Sequence, residues 1–376
     1  MHIGVDARLL TMPVTGIGRY TTELAQELLT QGRALTLYMP QSPVVGDWSS
    51  PNVHVRAGSI RGRVGRMLWS QTVLPWQAGR DRVDLFWGPA HRLPRYLSQS
   101  IARVVTIHDL VWKHAGETMR PLSRFMDRTL MPQAVHLADR IMAVSRSTAD
   151  AIEAEFPQAR GKVRVVYPGV TALAPPDNRE ALRALGVSRP YFLFVGTLEP
   201  RKNLRRLLGA YARLPQALRS ACQLVIAGGK GWGGVDVSQL LEQTGLTGQV
   251  VVTGYVTDTQ LSTLYAHARF LAMPSLYEGF GLPLVEVMSF GVPVVTANIS
   301  SLPEVAGEAG VLVDPLDESA IANGLSRLLT DETLYAELAG KARANAARFT
   351  WQAAAQQAMA VFHEAIEVRR SVSKGT

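Results

Sequence analysis

The stretch "YFLFVGTLEPRKNLRRLL", residues 191–208, decides the fold class. Tyr191 to Val195 run apolar or aromatic without a break, which suits a strand covered on both faces. Gly196 ends the run, Pro200 and two cations follow, and Leu204, Leu207 and Leu208 then recur as one helical face. Strand, short loop and helix form the repeating half of a parallel sheet, because parallel strands need a long, usually helical, crossover.

The same alternation extends both ways along the chain. Downstream lie "CQLVIAG", "QVVVTG", "RFLAM", "VPVVTA" and "GVLVDP"; upstream lie "HIGV", "ALTLY", "VHV", "DLFW", "RVVTIHD", "RIMAV" and "KVRVVY". Helical patterns separate many of them, such as Leu24 and Leu28 after the turn "TGIGRY". A length of 376 residues suits two domains, and "YPGVTALAPPDNRE", 167–180, is rich in Pro and Gly with no period, so the junction is placed there. The expectation is an α/β protein with two doubly wound domains, 1–170 and 171–350. A C-terminal helical segment, 351–376, is free to pack back on the N-terminal domain, and its last residues, "SVSKGT", read as frayed. Two such domains would leave a cleft beyond the C-terminal ends of their strands, where open parallel sheets bind ligands.

Composition narrows the class. With 47% hydrophobic and 19% charged residues the chain is globular rather than disordered. A single Cys222 rules out an intramolecular disulfide and fits a reducing cytosol, and "MHIGVDARLL" does not read as a signal peptide. No unbroken apolar stretch of about 18–20 residues is present, so no spanning helix is expected. The net charge of +8 lies entirely in the front half: 21 Lys+Arg against 13 Asp+Glu through residue 170, then 18 against 18. Such asymmetry points to an anionic partner for that half, whether nucleic acid, a phospholipid surface or a diphosphate-bearing substrate; biased arginine usage is the plainer explanation.

Motifs follow the strands. In "VGTLEPRKNLRRLL" Gly196 permits close backbone approach, and Arg201 and Lys202 precede a helix start, where free N–H groups and cations make a diphosphate site. "VTGYV" and "AGGKGWGG" are glycine-rich and read as plain turns when taken alone. "SLYEGFGLPLVE", 275–286, carries Glu278 on a loop and Glu286 about a turn inside a helix that Gly291 stops. Gly279 and Gly281 would let that helix start approach a ligand. One carboxylate would then hold a ribose diol and the other a transferred sugar, with uncharged backbone facing the phosphates between them.

The E-x7-E form of "EGFGLPLVE", together with "GTLEPRKN", resembles the large retaining glycosyltransferase family 4. "TGIGRY", "TIHDL" and "AVSRSTAD" match further family loops in order, so the resemblance covers nearly the whole chain. It implies the GT-B fold, two facing Rossmann-like domains with an interdomain cleft and the donor held mainly by the second. It further implies that Gly16 and Gly18 admit donor phosphates and acceptor, that His108 lies beside the transferred sugar, and that Ser145 and Arg146 belong to the cleft. Gly196, Thr197, Arg201 and Lys202 would meet the diphosphate, with Glu278, Gly279, Phe280, Gly281 and Leu282 around the sugar and phosphates and Glu286 on the ribose. Some relatives carry Arg at the position of Thr197, which shifts weight onto Arg201 and Lys202.

The sequence has no Asp-x-Asp, so a reaction independent of a metal ion is expected, with no cofactor, in which Arg201, Lys202 and helix N-termini stabilise the departing diphosphate. The family pattern places no nucleophile at the anomeric carbon, so the expected course is retaining, front-face, through an oxocarbenium-like state, with the donor's phosphate oxygen as base. "RGRVGRMLWSQTVLPWQAGR", 61–80, and "KHAGETMRPLSRFMDRTLMPQ", 113–133, interleave Arg with apolar residues and suit an anionic bilayer surface, or equally a helix facing the core. The favoured expectation is a peripheral enzyme on the inner face of the cytoplasmic membrane. It would extend a polyprenyl-diphosphate-linked glycan such as O-antigen with mannose or D-rhamnose, from a GDP-sugar rather than a UDP-sugar. A nucleotide-sugar 2-epimerase of the same fold is the nearest alternative. A nicotinamide dehydrogenase fails because "GIGRYT" lacks the third glycine of G-x-G-x-x-G, and no nucleic-acid motif accompanies the charge.

Overall fold

A computed structural model describes residues 1–12 and 16–374, in two compact units. The first comprises Met1–Leu110, Leu122–Gly169 and the chain from Thr350; the second comprises Val111–Pro121 and Val170–Phe349.

The first unit holds a seven-stranded parallel sheet built from β1 (His2–Asp6), β2 (Ala34–Met39), β3 (Val53–Ala57), β4 (Leu85–Gly88), β5 (Ala102–Ile107), β6 (Arg140–Ala143) and β7 (Val163–Val165). Their order is β3-β2-β1-β4-β5-β6-β7. Central strands such as β5 are buried at every residue, while the edge strand β3 alternates toward solvent because one face is uncovered. The helix Trp351–Lys374 packs in this unit on β4, β5 and β6 and on the helix Gly16–Thr30. Ala354, Ala355, Ala358, Phe362 and Ala365 are buried along one stripe, with Phe362 against Trp87. Glu364 pairs with Arg140 and Arg164, and Arg369 with Asp139, fixing its outer side. The frayed end expected at "SVSKGT" lies partly outside the described residues, at 375–376.

The second unit holds a six-stranded parallel sheet: β8 (Tyr191–Val195), β9 (Gln223–Ala227), β10 (Val250–Gly254), β11 (Leu271–Met273), β12 (Val294–Ala297) and β13 (Gly310–Val313), in the order β10-β9-β8-β11-β12-β13. Both sheets thus reverse direction beside their first strand, the topological switch point where doubly wound folds bind ligands. The thirteen strands of the described residues sit on the β-branched or apolar runs of the sequence, and the central ones are apolar nearly throughout because burial on both faces leaves little room for polar residues.

Two local readings change. "GIGRY" is not a turn: Gly16 to Tyr20 form the first turns of the helix Gly16–Thr30, and residues 13–15 lie outside the described chain. Val111–Pro121, read from sequence as part of the first domain, groups with the second unit. There Val111, Ala115 and Met119 pack on Tyr277, and the indole N–H of Trp232 donates to the Thr118 carbonyl at 2.6 Å.

Candidate active site

In the second unit the loops leaving β8 and β11 carry the charged residues. Those strands are neighbours at the switch point, so Lys202 and Glu278 meet across 76 positions of sequence. After β8 the chain forms the short turn Pro200–Lys202 and then Asn203, held in the left-handed region at φ 61°. The Asn203 amide donates to the carbonyls of Pro274 (2.9 Å) and Pro315 (2.7 Å), tying three loops together. After β11, Gly281 adopts φ +98° at the start of the helix Leu282–Ser289, and a Cβ there would stand 3.0 Å from Leu302. The Ser300 hydroxyl accepts from the Glu278 N–H at 3.1 Å, and the Ser301 hydroxyl donates to the carbonyls of Glu278 and Phe280.

These anchors hold a buried four-charge cluster. Glu278 Oε1 lies 2.7 Å from Lys202 Nζ, and Glu278 Oε2 lies 2.7 Å from Arg201 Nη1. Arg201 Nη2 also reaches Glu199 Oε1 at 2.5 Å, and Nη1 donates to the Tyr277 carbonyl at 2.6 Å. Burial alone pushes the Glu278 carboxyl up, but the two cations outweigh it and bring it from 4.5 down to about 2. For Glu199 burial prevails over the same cations, with Glu278 adding to the upward push, and its carboxyl is raised. Glu286 lies in the second turn of its helix, where it is buried and accepts from the Tyr265 hydroxyl at 2.9 Å.

The neighbouring glycine loops are structural as well as permissive. A Cβ on Gly228 would stand 1.9 Å from the Gly196 carbonyl oxygen, so the loops after β8 and β9 touch backbone to backbone. Thr197 is exposed, whereas Phe280 is buried edge-on against Phe349. Leu282 opens its helix half-buried, and Gly279 lies in the loop before it.

In the first unit the loops after β4, β5 and β6 converge on His108. Its Nε2 lies 2.7 Å from the Pro89 carbonyl, an acceptor, so that nitrogen carries the hydrogen and Nδ1 the lone pair. Its backbone N–H donates to Nε2 of His91 at 2.9 Å, and His91 itself sits in the left-handed region at φ 60°. Burial first and His91 second push the His108 imidazole down to about 3, so it is neutral. Tyr20 packs edge-on against the His108 ring, centroids 4.7 Å apart, which joins the "GIGRY" helix to this site. Gly16 is exposed at the first residue of that helix and Gly18 is buried within it. Ser145 is a helix cap: its hydroxyl accepts from the Thr148 N–H at 3.0 Å, and Thr148 in turn reaches the His108 carbonyl at 3.3 Å. Arg146 is exposed at the first position of the capped helix. His91, Tyr20, Glu199, Asn203, Tyr265 and Ser301 are thus site residues that sequence reasoning passed over. Glu199, Asn203 and Tyr20 stand inside quoted motifs; nothing in the sequence marks His91.

Residues 14–172 match the family model described as Glycosyltransferase Family 4, and residues 178–347 match Glycosyl transferases group 1. O-antigen chain mannosyltransferase B of Escherichia coli is 33% identical over 362 residues, which cover 90% of this chain and 93% of that protein. The chain belongs to glycosyltransferase family 4. Among solved structures the transferase resembles sucrose-phosphate synthase of Thermosynechococcus elongatus (TM-score 0.74, 20% identity, 100% of both chains). It also resembles WaaG, a glycosyltransferase involved in lipopolysaccharide biosynthesis (TM-score 0.73, 19% identity, 96% of this chain and 99% of that one). The fold is therefore GT-B. Family membership makes the chain a transferase that takes a sugar from a nucleotide-sugar donor to a glycan acceptor, and the epimerase alternative finds no support among these relatives.

Proposed function

We propose that this transferase moves a hexose, mannose or D-rhamnose, from a GDP-sugar onto a growing lipid-linked polysaccharide of the O-antigen kind, with retention and without a metal ion or other cofactor. The observation that carries the reading is the pairing of Arg201 and Lys202 with Glu278 where the loops after β8 and β11 meet. Two cations beside a switch-point turn suit a leaving diphosphate, and they stabilise the charge that develops as the glycosidic bond breaks. Glu278 then serves the sugar hydroxyls and Glu286 the ribose. Neutral His108, with Nδ1 as acceptor, suits a sugar hydroxyl rather than proton transfer. The base is the donor's own phosphate oxygen on the face where the acceptor hydroxyl attacks. The mannosyl and O-antigen assignments are supported by the similarity to the E. coli mannosyltransferase.

The acceptor side is read as a membrane surface on the cytoplasmic side. Among the described residues no helix is long and apolar enough to cross a membrane. The first unit nevertheless exposes Val64, Met67, Leu68, Trp76, Tyr96, Leu122 and Phe125, interleaved with exposed arginines. A panel of GDP- and UDP-sugars, scored by thermal shift and by hydrolysis with and without EDTA, tests the donor reading. Stabilisation by GDP-mannose or GDP-rhamnose and turnover unchanged by chelation are expected. Turnover abolished by EDTA overturns the metal-independent course, and a response confined to UDP-sugars overturns the donor assignment.

A further inference from the structure

We infer that Glu278 is the resident counter-ion of the diphosphate pocket, and that donor binding exchanges one anion for another: the incoming diphosphate takes Arg201 and Lys202 from Glu278, which frees that carboxylate for the sugar. The inference rests on the donor reading above. Both oxygens of Glu278 are occupied by the cations assigned to the diphosphate, each at 2.7 Å. Each oxygen keeps a further lone pair, but the two cations fix the direction of the carboxylate, and the donors they turn toward it are the ones a diphosphate would compete for. Lys202 sits over the turn after β8, its Cε 3.3 Å from where a Cβ on Gly196 would stand, so the contested position is at the switch point. The main chain of residue 278 is bonded on both sides, by Ser300 and Ser301, which leaves a side-chain rotation as the moving part. Arg201 keeps Glu199 and the Tyr277 carbonyl as partners throughout, so it changes one contact without leaving its place.

The exchange is favourable because a diphosphate brings more charge than one carboxylate to the same two cations. It is also reversible. Once the sugar has left, Glu278 returns to Arg201 and Lys202 and competes with the nucleoside diphosphate, which speeds product release. Glu278 is anionic at any working pH, held at about 2, so no proton accompanies the exchange. The arrangement couples the two recognitions: a seated diphosphate draws the cations away and leaves the carboxylate free to turn toward the sugar.

Calorimetric titration with inorganic pyrophosphate, GDP and UDP on wild type, Glu278→Gln, Glu278→Asp and Glu199→Gln tests this. Glu278→Gln is expected to bind pyrophosphate and the nucleotide at least ten-fold tighter than wild type, while its sugar transfer falls. Glu199→Gln removes a charge of the same sign but leaves Glu278 seated, and is expected to tighten binding less than three-fold. Glu278→Asp keeps the charge on a shorter arm and is expected to fall between them, which preserves the test should the Gln variant fold poorly. Equal tightening in Glu199→Gln and Glu278→Gln, or none in either Glu278 variant, overturns the exchange. If wild type binds neither nucleotide yet Glu278→Gln gains affinity for pyrophosphate, the exchange stands and the nucleotide-donor reading falls. If the nucleotides bind wild type and neither Glu278 variant binds more tightly, the donor reading stands and the exchange falls.

Discussion

Glu199 and Glu278 share one guanidinium, yet burial and partner count drive them apart. Glu278 has two cations and is depressed from 4.5 to about 2. A depressed carboxylate stabilises the fold above its unfolded value and loses that contribution as pH falls through its folded one. The shift corresponds to on the order of 3 kcal/mol. Glu278→Gln is therefore expected to be less stable than wild type in urea at pH 7, with the gap shrinking as pH falls from about 4.5 toward 2. Glu199 is raised, so its contribution has the opposite sign: it favours the fold at low pH and fades as pH rises through its folded value. Glu199→Gln should accordingly cost less at pH 7 than Glu278→Gln. His108 is a third case. With its imidazole lowered from 6.5 to about 3, stability is lost as pH falls between those values, because only the unfolded chain takes up the proton there. Replacing it as His108→Gln should flatten the acid limb of a stability profile between pH 6 and 4, and a profile identical to wild type would contradict the buried neutral ring.

At the level of elements, the site depends on backbone that only certain residues tolerate. Gly281 turns the chain into the helix Leu282–Ser289 at φ +98°, with Leu302 at 3.0 Å from any added Cβ. Gly281→Ala is expected to cost about 1–3 kcal/mol in denaturant unfolding and to tilt the helix that carries Glu286. Because that tilt moves a binding group rather than the leaving group's cations, KM for the donor should rise more than kcat falls, and an unchanged KM would refute the placement of Glu286. This contrast shows what the sequence made legible. Runs such as "YFLFV" and "QLVIA" expose the strands because burial on both faces leaves a one-dimensional apolar signal. Glu278 and Glu286 stand out because charge is rare in such an apolar, glycine-broken stretch. Contacts between distant loops leave no such mark. The Asn203 amide bonds to Pro274 and Pro315 follow from sheet order, as does the seat of Lys202 on Glu278. His91 adopts a left-handed backbone that nothing in "GPAHRLP" announces. The hydrogen bond that Glu286 accepts comes from Tyr265, which lies on another helix. Ser145 stands inside the motif "AVSRSTAD", and its hydroxyl caps the helix by accepting from the Thr148 N–H.

For the whole molecule, the uneven charge of the sequence gains a definite surface. The helices Arg63–Gln71 and Val73–Arg80 pack together and present Val64, Met67, Leu68 and Trp76, the last 61% exposed, while Trp69, Leu74 and Ala78 face the core. Core packing and an outward apolar face, posed as alternatives by the sequence, are thus both present on the same helices. The backbone N–H of Arg95 donates to Gln71, which ties the Arg95–Tyr96 loop to the first of these helices, and Arg92 pairs with Asp127 of the helix Pro121–Leu137, which exposes Leu122 and Phe125. Half-buried Arg66 and exposed Arg80, Arg95, Arg124 and Arg128 are interleaved with these residues in sequence. A bilayer with anionic headgroups would gain about 1 kcal/mol per basic residue near its surface and about 1.5–3 kcal/mol per large apolar side chain fully buried. Wild type is therefore expected to sediment with vesicles containing anionic lipid and to release as salt rises, because only the charge part is screened. Trp76→Ser with Phe125→Ser should weaken vesicle binding at least ten-fold at fixed salt, since the apolar part is lost. Both side chains are exposed, so the double variant should keep the wild-type melting temperature and its turnover on a short, water-soluble acceptor. Vesicle binding that ignores both anionic lipid and these two side chains would remove the membrane from the acceptor side and leave the basic face to a soluble anionic glycan.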